Sequence, residues 1–303
     1  MLLACRTVRF FLLRGSESEI LSFIMIPQVD LHCHLLPDWD DGPSDFAESL
    51  AMAKRSSEAG CKTIVVTPHI DRAFLREARP ACEVALAVEE LEEKLRAHGV
   101  DIRLVAGGEL HLATPDLPRR IANEPCLSIG GKNVYSLIES PVNSWPSHAP
   151  QILYHLSLSG ITPLIAHPER YAEVQKDIGI MAQLVDKGAR LQITARSLVG
   201  KDRKAKNCSE KMLRAGLVSV VASDAHNSEA VLIHEVIERV VELVGEVAAQ
   251  RILVDNPLAI VEGRPVRRMS PVEMPRGFGA KTSFFGLSRW RRADENQSRR
   301  TNC

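Results

Sequence analysis

The stretch Val29-Asp30-Leu31-His32-Cys33-His34-Leu35-Leu36-Pro37-Asp38-Trp39-Asp40-Asp41-Gly42 decides how this chain is read. Val29 and Leu31 alternate with Asp30 and His32, the period of two that marks a strand. Side chains two apart on a strand share a face, so His32 and His34 point the same way. Two imidazoles converging at a strand end, followed at once by an acidic turn, make half a site for a divalent metal. Taken alone, the pair also fits one hydrogen-bonded core histidine beside an exposed one. The ends of the later strands decide between these.

Working outward, Ser44 is placed as the cap of a helix that runs to about Ala59 and stops at Gly60. Thr63-Ile64-Val65-Val66-Thr67 is a β-branched run of the kind that is buried on both faces, and it stops at Pro68-His69. An amphipathic helix is expected from about Pro80 to His98, with Val84, Leu86, Val88, Leu91 and Leu95 turned inward. The next strand, Ile102 to Ala106, runs through Gly107-Gly108 into Glu109, and Leu112 to Gly131 is turn-rich. Val134 to Ile138 ends in Glu139. After a helix near Pro150 to Ser159, the strand Ile161 to Ala166 ends in His167-Pro168-Glu169-Arg170. Helices near Met181 to Lys187 and Ala205 to Ala215 precede the strands Leu191 to Thr194 and Leu217 to Val221, the latter closing with Ser223-Asp224-Ala225-His226.

Strands alternating with helices mean βα units and a parallel sheet. About seven units over roughly 235 residues suit an α/β single domain, a distorted (β/α)7-type TIM-like barrel, whose functional groups gather at the carboxyl ends of strands. A doubly wound open sheet would collect its ligands at one switch point instead. His32, His34, Asp41, His69, Glu109, Glu139, His167, Asp224 and His226 all lie at strand ends or in the loops just after them. In a barrel they converge on one face, where bound cations offset the mutual repulsion of the carboxylates. Oxygen and nitrogen donors without thiolates favour Mn²⁺, Fe²⁺ or Zn²⁺ in a catalytic role.

The bulk numbers agree with a soluble globular protein: 303 residues, 45% hydrophobic, 25% charged, formal net charge +0. That charge balance argues against bulk attraction to nucleic acid or anionic membrane. No run is long and apolar enough to span a bilayer. Seven cysteines at irregular spacing point to free thiols in the cytoplasm. Met1-Leu2-Leu3-Ala4-Cys5 looks like a lipoprotein box, but no hydrophobic segment precedes it, so residues 1–24 are read as a disordered extension or a misassigned start. The folded body is expected over 25–263. From Arg264 the composition turns basic, and 264–303 is read as a flexible tail. Cys208 and Arg214 match the Cys-x5-Arg spacing of cysteine-dependent phosphatases, but the residues between them contain no glycine and form helix rather than a phosphate-cradling loop.

Asp30-Leu31-His32-Cys33-His34, Asp40-Asp41-Gly42, Thr67-Pro68-His69, Gly108-Glu109, Ile138-Glu139, Ala166-His167-Pro168-Glu169-Arg170-Tyr171, Ile193-Thr194-Ala195 and Ala222-Ser223-Asp224-Ala225-His226-Asn227 together resemble the PHP (polymerase and histidinol phosphatase) family. They resemble most its bacterial branch of metal-dependent protein-tyrosine phosphatases of capsular and exopolysaccharide systems. The resemblance implies three adjacent divalent metals, with Mn²⁺ preferred and Fe²⁺ or Zn²⁺ as alternatives. It places His32, His34, Glu109 and Asp224 on one metal. Glu109 bridges to a second, held also by Glu139 and His167, while Asp41, His69 and His226 hold the third. It implies a metal-activated hydroxide as nucleophile, with Arg170 gripping the phosphoryl oxygens. The implied substrate is a phosphotyrosine protein, a membrane-associated bacterial tyrosine kinase of polysaccharide export. Two other readings stay open: a small-molecule phosphatase of the histidinol-phosphate type, and a weakened phosphatase that regulates its kinase by binding. The last is motivated by Val231, which stands where relatives commonly carry an arginine. Gly108 stands where relatives often have a larger residue, which is expected to loosen packing there.

Overall fold

The structure, a computed structural model, describes residues 28–70, 81–114, 116–140, 144–266 and 268–271. The N-terminal stretch 1–24 and most of the basic tail lie outside the described residues. Among the described residues the strands are β1 (Gln28–Cys33), β2 (Cys61–Val66), β3 (Arg103–Ala106), β4 (Glu109–His111), β5 (Tyr135–Glu139), β6 (Thr162–Ala166), β7 (Arg190–Thr194) and β8 (Val220–Ala222). Between them run α1 (Phe46–Glu58), α2 (Glu83–Ala97), α3 (Leu117–Asn123), α4 (Ala149–Leu158), α5 (Ala172–Lys176), α6 (Gly179–Asp186), α7 (Ala195–Val199) and α8 (Arg203–Arg214). After β8 come α9 (Ile237–Val244), α10 (Glu246–Gln250) and α11 (Asn256–Val261), a helical stretch beyond the last expected strand.

The protein is an α/β fold with parallel sheets. The strands form two sheets, ordered β1-β2-β3 and β4-β5-β6-β7-β8, rather than one closed ladder. Single bridges link them, Cys33 to Ala225 at one seam and His69 to Glu109 at the other. The second seam explains why the run from Ile102 to Glu109 is not one strand. The N–H of Gly107 still donates to Val66 O, and that of Glu109 then donates to Pro68 O, so the chain steps along β2 while β4 turns to pair with β5. A Cβ at Gly108 would come within 2.6 Å of the Ile70 side chain, so a larger residue at this crossing requires Ile70 to move. The loosened packing expected at Gly108 is therefore not found, because Ile70 fills the space and is itself buried.

Almost every strand sends apolar side chains into one core, among them Val29, Leu31, Val65, Val105, Leu137, Leu164 and Val220, joined by Ile260 and Val261 of α11. Burying each such side chain contributes about 1.5–3 kcal/mol, which offsets the cost of gathering charge at the strand ends. The helices obey the expected periodicity with two corrections. Asp45, not Ser44, caps α1, its carboxylate accepting from the N–H of Glu48 at 3.0 Å. Leu86 points outward at 62% exposure, since Val84, Val88, Leu91 and Leu95 already complete the buried stripe. The body also continues past Gly263, the end assigned from sequence. Val266 is buried, its N–H donates to the Tyr135 hydroxyl, and Arg190 donates to its carbonyl.

Candidate metal centre

Six strands and the loops that follow them deliver the nine ligand candidates to one end of the fold. His32 is the last residue but one of β1 and His34 lies one residue beyond the strand; His69, Glu139, His167 and Asp224 end or follow β2, β5, β6 and β8, and Glu109 opens β4. The acidic turn folds back onto His34 because Gly42 permits it. A Cβ there would meet the His34 carbonyl at 2.8 Å. Two of the ligand candidates sit in left-handed backbone, His167 at φ 33° and Asp224 at φ 54°. Such conformations cost of order 1–3 kcal/mol in non-glycine residues and persist where surrounding structure enforces them, often at functional sites.

The innermost group is four donors. His32 Nε2 lies 3.2 Å from His34 Nε2, 3.2 Å from Glu109 Oε2 and 3.2 Å from Asp224 Oδ1. His34 Nε2 lies 3.3 Å and 3.6 Å from the same two oxygens. Ligand atoms held by one ion at about 2.0–2.2 Å lie about 3.4 Å apart at the tetrahedral angle, so these spacings fit a common cation. The ring tautomers agree. His34 Nδ1 faces Asp40 Oδ2 at 2.8 Å and His32 Nδ1 faces Gln192 Oε1 at 3.1 Å. With both Nδ1 atoms donating, two Nε2 lone pairs face each other, an arrangement that needs a cation or protons between them.

A second group surrounds Glu109. His167 Nε2 is 3.0 Å from Glu109 Oε1, and His69 Nδ1 is 3.4 Å from Glu109 Oε2 and 3.2 Å from Glu139 Oε1. A third forms around Asp41 Oδ1, 3.6 Å from His69 Nε2 and 3.3 Å from His226 Nε2. His34, Asp41, His69 and His226 together could hold an ion, as could His32, His34 and Glu109, or His69, Glu109 and Glu139. His69 thus stands between two groups, one ring nitrogen toward each.

The charges respond to this crowding. Burial pulls the His32 imidazolium down, but Glu109 and Asp224 outweigh it and raise its pKa to about 9. Burial likewise opposes ionisation of Glu109 and Asp224, yet the surrounding histidines, with Arg170 beside Asp224, hold both carboxyls well below the ordinary range. Without a cation the cluster keeps its carboxylates ionised by collecting protons on its histidines. Metal binding exchanges those protons for the ion.

A cavity of about 190 Å³ opens over the groups, lined by Asp41, His69, Glu109, Glu139, Ser140, His167, Arg170, Tyr171, Asp224 and His226. Arg170 reaches Asp224 Oδ2 at 2.5 Å, so Asp224 joins the inner donors with one oxygen and Arg170 with the other. All nine ligand candidates and Arg170 are therefore brought together.

The CpsB/CapC family, of capsular polysaccharide synthesis, matches residues 28–262. The chain belongs to that family. It is 36% identical over 200 residues to the tyrosine-protein phosphatase YwqE of Bacillus subtilis (strain 168), covering 66% of this chain and 77% of the relative. It is 28% identical over 242 residues to the tyrosine-protein phosphatase CpsB of Streptococcus pneumoniae, covering 77% and 98%. A solved structure from the pair YwqE and CpsB, described as unique metal-dependent tyrosine phosphatases, superposes with a TM-score of 0.74 at 31% identity, covering 82% of this chain and 100% of the other. The lactonase Lmo2620 of Listeria monocytogenes, at TM-score 0.55 and 12% identity over 78% of this chain and 95% of its own, shares the fold alone.

Several site residues of this CpsB/CapC chain were not singled out from sequence. Asp40 was read only as part of the acidic turn, yet it orients His34 and accepts from the His69 N–H at 2.9 Å. Gln192 is a polar residue inside an apolar strand, the one signal that could have marked it. Glu169, fully buried, accepts from the N–H and hydroxyl of Thr194 at 2.9 Å and 3.0 Å. The loop holding Val231 is anchored from α1: Arg55 donates to the carbonyls of Ser228 and Ala230 and pairs with Glu235. Cys208 is a helical thiol donating to Val174 O, pushed up to about 12 chiefly by burial, and Arg214 pairs with Glu210. Neither serves a phosphate loop.

Proposed function

We propose that this chain is a metal-dependent phosphatase that hydrolyses phosphotyrosine in protein. The observation that carries this reading is the inner quartet, in which the Nε2 atoms of His32 and His34 lie 3.2 Å apart and each lies within 3.2–3.6 Å of Glu109 Oε2 and Asp224 Oδ1 in a buried pocket. Kinship with the phosphatases YwqE and CpsB supports the substrate class. The two bridged sheets are read as a distorted (β/α)7-type barrel whose mouth carries the site.

In this reading three divalent cations, Mn²⁺ in preference to Fe²⁺ or Zn²⁺, are held by the three groups described above. Glu109 is shared between the first two, and His69 is placed to serve the second or the third. When bound, such ions supply an activated water and neutralise the phosphoryl oxygens. The chain's own residues do the rest. Arg170, fixed at one nitrogen by Asp224 and lining the cavity, offers charged donors to the phosphoryl group as charge shifts onto it. Asp40 and the Asp224 carbonyl orient the rings of His34 and His226 by accepting from their Nδ1 atoms, at 2.8 Å and 3.0 Å. Tyr171 ties Ser140, just past β5, to the end of β6, accepting from the Ser140 N–H and donating to Ala166 O. A tyrosinate leaving group, with a pKa of about 10, needs only modest protonation.

The substrate we assign is a tyrosine-autophosphorylating kinase of polysaccharide export, met in the cytoplasm. The test is metal analysis of the purified protein together with turnover of a phosphotyrosine peptide and of histidinol phosphate, before and after chelation. Chelation should abolish peptide turnover, and Mn²⁺ should restore it. Undiminished turnover by metal-free protein, or preference for histidinol phosphate, would overturn the reading.

A further inference from the structure

β7 is the strand of the five-stranded sheet whose end carries no ligand candidate, whereas β4, β5 and β6 each supply one and the loop after β8 supplies Asp224 and His226. It nevertheless places Gln192, fully buried between Leu191 and Ile193, where its side chain meets two of the ligand residues. Gln192 Oε1 lies 3.1 Å from His32 Nδ1, across on the three-stranded sheet, and accepts from the main-chain N–H of His167 at 3.4 Å. The second contact argues for this orientation of the amide, which leaves Gln192 Nε2 buried without a partner among the described residues. A backbone N–H can only donate, so the atom facing it is the oxygen, and that same oxygen faces His32. An amide oxygen can only accept, so His32 Nδ1 carries the hydrogen. Its Nε2 is then the lone-pair atom turned toward His34, Glu109 and Asp224.

We infer that Gln192 is the positioning residue of the inner group: it selects the Nδ1–H tautomer of His32 and holds His167 in its left-handed turn. A neutral acceptor has a specific consequence here. The quartet contains two carboxylates and a third, Asp40, stands behind His34, so an amide orients the His32 ring without adding a further one. His34 is oriented instead by Asp40, a carboxylate, so the two histidines of one group are supported by acceptors of different charge. Strand β7 supplies the second constraint as well, because Thr194 donates to Glu169, two residues past His167. The strand without a ligand thus holds the His167–Arg170 turn at His167 and at Glu169.

This inference rests on the metal-holding role proposed above, and the experiment separates the two. Affinity for Zn²⁺ is measured by competition with a chromophoric chelator for the wild-type chain, Gln192→Leu and Gln192→Glu, with thermal unfolding of the metal-free forms as a check on folding. Gln192→Leu, which keeps bulk and removes the acceptor, should weaken the tightest site by about 10- to 100-fold. Gln192→Glu, which restores an acceptor of the same length, should recover affinity to within a few-fold. In Zn²⁺-loaded wild-type protein, ¹⁵N spectra should show the His32 hydrogen on Nδ1, with the signals identified by their loss in His32→Gln. That measurement stands even if the leucine variant fails to fold. Equal loss in both variants, unchanged affinity in Gln192→Leu, or a hydrogen-free His32 Nδ1 would overturn the inference while leaving metal binding intact. A wild-type chain that takes up no metal would instead remove the reading beneath it.

Discussion

The inner and outer parts of the site are made of the same residue types and differ in access to water. The side chains of His32, His34, Glu109 and Asp224 are at most 2% exposed, whereas Asp41 is 54% and His226 28% exposed. Removing ionised groups from water costs several kcal/mol each unless opposite charge is brought to them. The inner quartet therefore depends on a cation or on captured protons, while the outer group can relax into solvent. An inner ion should behave as part of the fold, and an outer ion as exchangeable, facing the cavity where substrate enters.

The largest expected effect breaks the inner side of that contrast. His32→Ala or Asp224→Ala removes one of four convergent donors and leaves the others buried and uncompensated. Metal-ion catalysis is worth several kcal/mol, so turnover of a phosphotyrosine peptide should fall by about 10³-fold or more, together with the content of tightly bound metal. Full activity in either variant would refute the assignment. The outer side should give less. Asp41→Asn or His226→Ala should lower metal content by about one ion and turnover by about 10- to 100-fold, with the ion that resists dialysis retained. If the outer variants lose the tight ion and the inner ones do not, exposure does not rank the sites.

The chemistry of the site was legible because βα folds carry function at strand ends. An apolar run followed by His, Asp or Glu can be read from one sequence, and His32, His69, Glu109, Glu139, His167 and Asp224, which the structure brings together, are all read that way. What stayed hidden depends on contacts between distant strands. Gln192 and His32 are 160 residues apart, and nothing in Leu191-Gln192-Ile193 tells which ring the amide will meet. The split of the sheet at Gly107-Gly108 was missed for a related reason. The room at Gly108 is set by Ile70 across the seam, not by its neighbours in the chain. His69 shows the limit of counting ligands, since one residue presents its two nitrogens to two groups. The helices after β8 lack chemistry altogether, and they matter by closing the core through Ile260 and Val261.

Arg170 links the two sides, being 36% exposed while pairing with the buried Asp224. Arg170→Lys keeps the positive charge beside Asp224 but loses the planar fork that suits phosphoryl oxygens. We expect KM for a phosphotyrosine peptide to rise by about 10-fold with metal content unchanged. A fall in metal content as large as that in Asp224→Ala would make Arg170 a support for the inner group rather than a substrate contact.

The smallest effect concerns metal-free protein, where protons stand in for the inner ion. His32 has its folded pKa raised to about 9, so its contribution to stability is complete below its unfolded value near 6.5. That contribution fades as pH rises through about 9. Glu109 and Asp224 have their folded values depressed, so their contribution is complete above the unfolded carboxylate range near 4 and is lost as pH falls below it. Chelated protein should therefore be most stable between roughly pH 4.5 and 6.5, with Tm declining on the alkaline side toward pH 9. Metal-loaded protein should hold its Tm through that alkaline range, because its ligands are already deprotonated, and should lose metal in acid. Thermal unfolding with and without chelator across this range measures both curves. If they run parallel from pH 6.5 to 9, then protons do not occupy the inner quartet in place of a cation, and its burial needs another explanation.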